Sequence, residues 1–328
     1  MKLATLPDRT PDGRLHVVSR DLARSAPASG VTTLQALMEN WSALAPTLEA
    51  QYAALNAGQG SGFDPGNALS PLPRAWQWLD GSAFESHGEL MQQVFKLDPV
   101  PKGRPLMYQG LSDRFLAATA DVPLPSEDDG IDFEGEFGII CDAVPMGTAT
   151  PAARAHIRLL VQINDWSLRT IAPIEMRTGF GWVQAKPACA MAPVAVTPDE
   201  LGPDWRDARV DLPLLVDLNG TRFGAANGYH MAYGFDELIA HAARTRHLVA
   251  GTVIGSGTVS NANYREVGSS CIAERRGIEL LDHGAPATPY MAFGDRVRMD
   301  CRDRSGASVF GVIDQRVVSA APSRSGQV

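Results

Sequence analysis

Long apolar runs are missing from this chain. None reaches the roughly 20 residues that a membrane-spanning helix needs, so no membrane partner is expected. Cysteine is scarce too. Cys141, Cys189, Cys271 and Cys301 lie far apart and form no C-x-x-C pair. That pattern excludes a disulfide framework and a zinc site, and predicts reduced, mostly buried thiols in a cytoplasmic protein. Basic charge is short: 29 Lys and Arg stand against 37 Asp and Glu, a net charge of -8. Nucleic-acid binding draws on a basic stripe that neutralises phosphates, so no nucleic-acid partner is expected. A leader is not read either, because Asp8 stands where the apolar part of a signal peptide would run. The glycine-rich G-T-V-I-G-S-G-T lacks the G-x-G-x-x-G spacing and no helix is predicted to open after it, which excludes a dinucleotide fingerprint.

What is present suits a globular enzyme. Hydrophobic residues make up 45% of the 328, enough to bury one large core or a core with a smaller companion. Residues 1–80 read as a small N-terminal α/β domain. R-L-H-V-V-S predicts a strand. Leu34, Leu37, Met38, Trp41 and Leu44 predict a helix over about 32–56, broken or kinked at Pro46. The run G-Q-G-S-G-F-D-P-G-N reads as a linker.

Residues 81–328 read as the main domain, α+β and mainly β. E-F-G-I-I-C-D-A-V and I-R-L-L-V-Q-I-N-D predict strands. A hairpin is expected at Asn219-Gly220 and another around Ser305-Gly306. F-D-E-L-I-A-H-A-A-R-T-R-H-L predicts one clear helix. Residues 166–193 and 258–272 read as long functional connections. His241 and His247 on the helix, and the Arg275-Arg276 pair, are read as structural. His230, in N-G-Y-H-M-A-Y, is a minor candidate for substrate contact.

The acidic residues carry the chemistry. In D-F-E-G-E-F-G-I-I, strand alternation sends Glu134 and Glu136 to one face. Two carboxylates side by side raise one another's pKa unless a cation lies between them. Asp165, in I-N-D-W-S, supplies a third carboxylate from a second strand. Oxygen-only ligands suit a hard divalent cation, Mg²⁺ first and Ca²⁺ or Mn²⁺ next, rather than Zn²⁺.

The segments D-F-E-G-E-F-G-I-I, I-N-D-W-S-L-R-T, A-K-P-A-C-A-M-A-P-V and V-I-G-S-G-T-V-S-N, in this order, resemble the fumarylacetoacetate hydrolase family over roughly residues 105–316. Residues 1–80 resemble the extra N-terminal domain of some bacterial members. The resemblance implies a mixed β-roll and a homodimer. It implies Glu134, Glu136 and Asp165 as metal ligands, and Lys186 as the lysine aimed at substrate and metal. Thr258, with Gly257 on the glycine-rich loop, is implied in substrate binding. The substrates implied are small β-diketo or related oxo acids, of the fumarylacetoacetate or acylpyruvate type, in aromatic or tyrosine catabolism.

Carbon–carbon hydrolysis beside a carbonyl expels a carbanion, which must spread its charge onto oxygen. A Lewis-acid cation and the Lys186 ammonium suit that task, and the N–H groups of Gly255 to Thr258 suit a substrate carboxylate. The water-activating base departs from the family pattern, in which a lid histidine pairs with a glutamate. The lid is read at L-M-Y-Q-G-L-S-D-R-F-L, which has no histidine, and none occurs between His87 and His156. Founding-type members also have an aspartate metal ligand there, where Gly110 stands. Glu274 falls where the orienting glutamate is expected. Asp113 is then a candidate base, with Tyr108 and Gln109 as substrate contacts. The alternatives are decarboxylation or isomerisation of an oxo acid, and a weakened member that only binds one.

Overall fold

Strand Gly135–Cys141 reads G-E-F-G-I-I-C, and all of its residues are buried, so both of its faces must be covered. The computed structural model describes residues 1–95 and 103–320 and shows what covers them. The strand lies inside an eleven-stranded sheet. Across it run Ser61–Gly62, Arg24–Pro27, Arg14–Val18, Lys2–Leu6, Ala195–Val196, Ile157–Asn164, Gly135–Cys141, Thr252–Gly255, Trp78–Ser82 and Leu106–Gln109, with Ala190–Met191 paired to Ile157–Asn164. Neighbours are antiparallel except Thr252–Gly255 and Trp78–Ser82, which run parallel. A five-stranded sheet holds Thr221–Asn227, Pro213–Leu218, Arg296–Cys301, Ile313–Ser319 and Val122–Leu124.

Alternation then sorts the core. Phe137, Ile139 and Cys141 share one cluster with Leu214, Val216, Val297, Met299 and Ile313 of the smaller sheet. Ile140, Leu159, Val161 and Ile163 point the other way, into a cluster with Leu34, Leu37, Met38, Leu48 and Leu55 of the N-terminal helices. Full burial of side chains this size is worth ~1.5–3 kcal/mol each, which makes these strands the rigid centre on which the site is built. The class is the expected α+β fold, mainly β, with mixed sheets and helices outside them. The strands of residues 1–80 extend the large sheet: Lys2 and Leu3 pair with Val196 and Ala195. Trp78–Ser82 straddles the boundary drawn at residue 80.

Local expectations fared unevenly. Asn219 (φ 50°) and Gly220 (φ 79°) make the expected tight turn, both in the left-handed region that type I′ turns demand. The predicted 32–56 helix is two helices, Leu34–Glu39 and Trp41–Asn56. The break falls at Asn40, whose backbone is not helical, and Pro46 is accommodated inside the second helix. The second hairpin closes differently. Asp303 draws the N–H groups of Ser305 and Ala307 into a local turn, and the partner strand starts only at Ile313. The helix predicted from Phe235 ends at Ala242. The connections 166–193 and 258–272 hold short helices, Ala172–Thr178 and Tyr264–Val267.

Candidate metal and acid–base site

The parallel pairing of Trp78–Ser82 with Thr252–Gly255 sets Asp80 opposite Gly255, and Gly255 in turn faces Gly138 on its other side. Glu136 is paired with Ile163, two residues before Asp165. The large sheet therefore brings Asp80, Glu136 and Asp165 to one place: ligand oxygens of all three lie within 4.8 Å of one another, in buried surroundings. Glycine at 255 leaves them room. A Cβ there would sit 2.6 Å from Asp80 Oδ1, 2.9 Å from Glu136 Oε2 and 2.3 Å from the Trp78 ring.

Glu134 sits beside this trio but faces a different set of partners. It accepts from Lys186 Nζ (2.6 Å) and Ser167 Oγ (2.6 Å), receives a short hydrogen bond from the Thr258 hydroxyl, and pairs with Arg169 at 3.0 Å. Lys186 Nζ also donates to Asp165 Oδ2 at 2.7 Å. Burial works against the ionised form of Glu134, but Arg169 and Lys186 override it and hold the carboxyl below its ordinary range. Burial likewise opposes the Lys186 ammonium, and Asp165 and Glu134 overcome it and keep the lysine charged.

Asp80 and Glu136 have no such cation. Burial, then Asp165, raises Asp80 well above the usual carboxylate value. Burial, then Asp80 and Asp165, does the same to Glu136. Both oxygens of Glu136 are buried with no hydrogen-bond partner among the described residues. Buried carboxyls without donors need protons or a cation. The donors are all oxygen, so the residues fit a hard divalent ion.

The structure places a histidine beside Glu274 where the sequence reading had none. His87, on helix Glu85–Phe95, points Nδ1 at Glu274 Oε2 across 4.0 Å, and neither atom has a hydrogen-bond partner among the described residues. Glu274 thus has a histidine neighbour, carried by helix Glu85–Phe95 and not by the 106–116 segment where a lid was expected. The strand just before that helix carries Asp80. Ser260 Oγ donates to Glu274 Oε1, and Ser86 Oγ donates to Ser260 Oγ at 3.0 Å. Burial lowers the His87 ring to about 4 and raises Glu274 to about 7. A ring so placed is neutral near pH 7 and free to take a proton. Cys271 lies with this pair, and its Sγ accepts the Glu274 N–H at the helix start. Burial holds that thiol protonated, which suits a packing role rather than metal ligation.

The remaining candidates separate cleanly. Tyr108 joins the site: its hydroxyl donates to Asp165 Oδ2 at 2.6 Å and its ring lies 5.4 Å from Lys186 Nζ. Gln109 is exposed and accepts from Arg246. Gly257 (φ 74°) passes so close to Gly81 that a Cβ would meet its carbonyl at 2.3 Å. The Gly257 N–H donates to Asp80 and the Ser256 N–H to Phe137 O, so those two donors serve the fold rather than a substrate. Asp113 is exposed on the loop after Gln109, with none of the site's carboxylates or His87 as a partner, and its candidacy as base is not supported by this position. His230 is exposed. Cys189, expected only as a buried thiol, donates its S–H to Asp165 Oδ1, with Sγ at 2.8 Å.

The family profile described as fumarylacetoacetate hydrolase C-terminal matches residues 77–318, and that of fumarylacetoacetase N-terminal domain 2 matches residues 1–74. A 2,4-didehydro-3-deoxy-L-rhamnonate hydrolase from Sphingomonas sp. (strain SKA58) is 26% identical over 163 residues, 49% of this chain and 54% of that protein. A human mitochondrial oxaloacetate tautomerase is 24% identical over 163 residues, 49% of each chain. This chain thus spans about half the length of the curated relatives it matches. Among solved structures, maleylpyruvate hydrolase from Sphingobium sp. SYK-6, in complex with manganese(II) and pyruvate, superposes with a TM-score of 0.67. It is 18% identical, and the match covers 98% of this chain and 100% of that one.

Proposed function

This chain belongs to the fumarylacetoacetate hydrolase family, and on that premise we propose a divalent-cation-dependent hydrolase that cleaves a carbon–carbon bond in a β-diketo acid. The substrate is of the acylpyruvate or fumarylacetoacetate type, from aromatic catabolism, and the enzyme works as a cytoplasmic homodimer. The observation that carries the reading is His87 Nδ1 facing Glu274 Oε2, neither atom hydrogen-bonded among the described residues, beside the clustered buried carboxylates of Asp80, Glu136 and Asp165.

Asp80, Glu136 and Asp165, with Glu134 beside them, would hold the cation. When bound, it supplies Lewis-acid stabilisation of negative charge on the substrate's oxygens. The protein's own groups do the rest. Glu274 takes the His87 Nδ1–H, which orients the ring and leaves Nε2 to accept a proton from water. An apo separation of 4.0 Å is of the kind that tightens when substrate binds. The Lys186 ammonium, kept charged, faces the oxygen on which charge develops. The hydroxyls of Tyr108 and Thr258 fix the carboxylates and line the substrate's approach.

His87 beside Glu274 favours a catalytic reading over a weakened, binding-only member. Isomerisation keeps a footing, because a neutral imidazole and a charged lysine at one site also suit proton transfer between carbon and oxygen. A screen of acylpyruvates, fumarylacetoacetate and oxaloacetate with Mg²⁺ or Mn²⁺ decides it, with Glu136→Ala as the blank. Pyruvate or acetoacetate released from a diketo acid supports hydrolysis. Keto–enol exchange of oxaloacetate with no cleavage of any diketo acid overturns hydrolysis in favour of isomerisation.

A further inference from the structure

The segment after strand Thr252–Gly255 carries two hydroxyls with different duties. Thr258 donates to Glu134, in the half of the site that holds Lys186, and Ser260 donates to Glu274 Oε1, in the half that holds His87. Val259 between them is buried, and its N–H donates to Gly135 O at 3.0 Å. Asn261 pins the far side, accepting the Asn227 N–H at 2.8 Å and donating to Asn227 O at 2.9 Å. The backbone of Ser260 is therefore held on both sides.

Glu274 is divided between two neighbours. Oε1 takes the Ser260 hydroxyl, while Oε2 has no hydrogen-bond partner among the described residues and faces His87 Nδ1. A hydroxyl has one proton to give and lone pairs to spare. Ser260, only 1% exposed, gives its proton to Glu274, and its oxygen accepts from Ser86 Oγ at 3.0 Å. Ser86 is the residue before His87 on helix Glu85–Phe95. The chain of donors thus runs from the helix of one acid–base partner to the carboxyl of the other. The two helices also touch: a Cβ at Gly277, on the Glu274 helix, would lie 2.9 Å from Met91 Cε and 3.1 Å from Val94 Cγ2. The charged and titratable groups that face Glu274 are His87, Cys271 and Arg275 from its own helix, and Asp132 from strand Ile131–Asp132, with Arg169 behind Asp132. Burial opposes the ionised carboxyl most, and the Ser260 hydroxyl, then the Ser270 backbone, work the other way.

We propose that Ser260 is a positioning residue for the acid–base pair: by holding Oε1 it turns Oε2 toward His87, and through Ser86 it ties the His87 helix to that carboxyl. The inference rests on the catalytic reading above and deepens it.

The test is a ¹³C NMR titration of the Glu274 carboxyl, assigned with Glu274→Gln, read beside the pH profile of kcat/KM. Both are run on wild type, Ser260→Ala, Ser260→Cys and Ser86→Ala. The wild-type carboxyl should titrate at about 7. Ser260→Ala removes a hydrogen bond to the ionised form, so its midpoint and the rising limb of kcat/KM should both move up by about one pH unit. Ser260→Cys, a weaker donor, should fall between the two. Ser86→Ala leaves the Ser260 bond in place but depolarises it, so both readouts should move the same way by less. A carboxyl midpoint unmoved in Ser260→Ala overturns the proposal, and a Ser86→Ala protein identical with wild type overturns the tie to the His87 helix. Failure of the enzyme reading itself looks different: the carboxyl midpoint moves as expected, yet wild type turns over no oxo acid.

Discussion

Suppose Mn²⁺ is titrated into the metal-free protein at about pH 7, and the heat is followed in buffers of differing ionisation enthalpy. The site's charges say what must happen. Lys186 is shared by Glu134 and Asp165, and Arg169 adds to Glu134. Asp80 and Glu136 are left without a cationic partner. With an effective dielectric constant of about 20, two carboxylates at the cluster's outer separation of 4.8 Å repel by roughly 3.5 kcal/mol. Burial adds to that cost, and the two effects push the pair toward its protonated form in the metal-free protein, in line with the raised pKa values of both groups. A cation needs them ionised, so binding should release between one and two protons per ion. The sign follows: affinity rises with pH, by up to about tenfold per pH unit for each proton released. Glu136→Gln should remove one proton from the count and weaken binding. Release of no protons, with an affinity constant between about pH 6 and pH 8, would refute the assignment of Asp80 and Glu136 as the cation's neutral-state proton carriers.

Other expectations follow from the same geometry. His87→Gln should lower kcat by ~10²–10⁴-fold, the usual worth of a general base, while the cation-induced rise in Tm stays intact; turnover within twofold of wild type would remove His87 from the mechanism. With Glu274 raised to about 7 by burial, kcat/KM should climb as pH passes about 7, and Glu274→Gln should flatten that limb. Because the folded pKa lies above the unfolded value, the contribution of Glu274 to stability is full below about 4.5 and lost as pH rises through about 7. Melting curves should thus show Glu274→Gln gaining on wild type above that pH. Gly255→Ala, forced against Asp80, Glu136 and Trp78, should cost ~1–3 kcal/mol, and isothermal titration should show weaker cation binding; an unchanged affinity would mean the cradle is looser than its distances. Asp113→Asn should leave kcat within about twofold in steady-state assays, since burial and contact, not acidity alone, make a base.

How much of this was legible in the sequence depended on whether a residue's partners are near it in the chain. Glu134 and Glu136 could be paired from strand alternation, and Asn219-Gly220 from turn chemistry, because both arguments are local. Lys186 and Asp165 followed from spacing and resemblance, and the structure joins them at 2.7 Å. Asp80 and His87 were not found. Asp80 belongs to the site only because Trp78–Ser82 runs parallel to Thr252–Gly255, a pairing between segments far apart in sequence. Parallel neighbours leave no hairpin signal, so nothing near Asp80 announces its partner. The run W-L-D-G-S-A-F-E-S-H also straddles residue 80 and lies ahead of the span 105–316 that carries the resemblance. The helix break at Asn40 rather than Pro46 is a smaller case of the same kind: a proline marks where a helix is weakened, but the tertiary packing of Leu37, Met38 and Leu48 decides where it breaks.

The two halves of the site are also tied to one another, through a residue that touches neither reacting group. Asp132 accepts the N–H groups of Ile272 (2.7 Å) and Ala273 (2.9 Å), at the start of the helix that carries Glu274. A carboxylate at a helix N-terminus satisfies orphan donors and meets the positive end of the helix dipole. The same carboxylate takes Arg169 Nε at 2.8 Å, and Arg169 reaches Glu134 at 3.0 Å. Asp132 and Glu134 are two residues apart, so the chain that aims a carboxylate at Lys186 also fixes the height of the helix behind His87. The spacing D-x-E-x-E thus carries three tasks rather than one. Asp132 sets the helix, Glu134 holds the lysine, and Glu136 joins Asp80 and Asp165 in the proposed cation site. Read alone, the E-x-E pair suggested only a place for a metal; with Asp132 included, one short segment, the end of strand Ile131–Asp132 and the start of strand Gly135–Cys141, joins the helix of Glu274 to the carboxylate cluster.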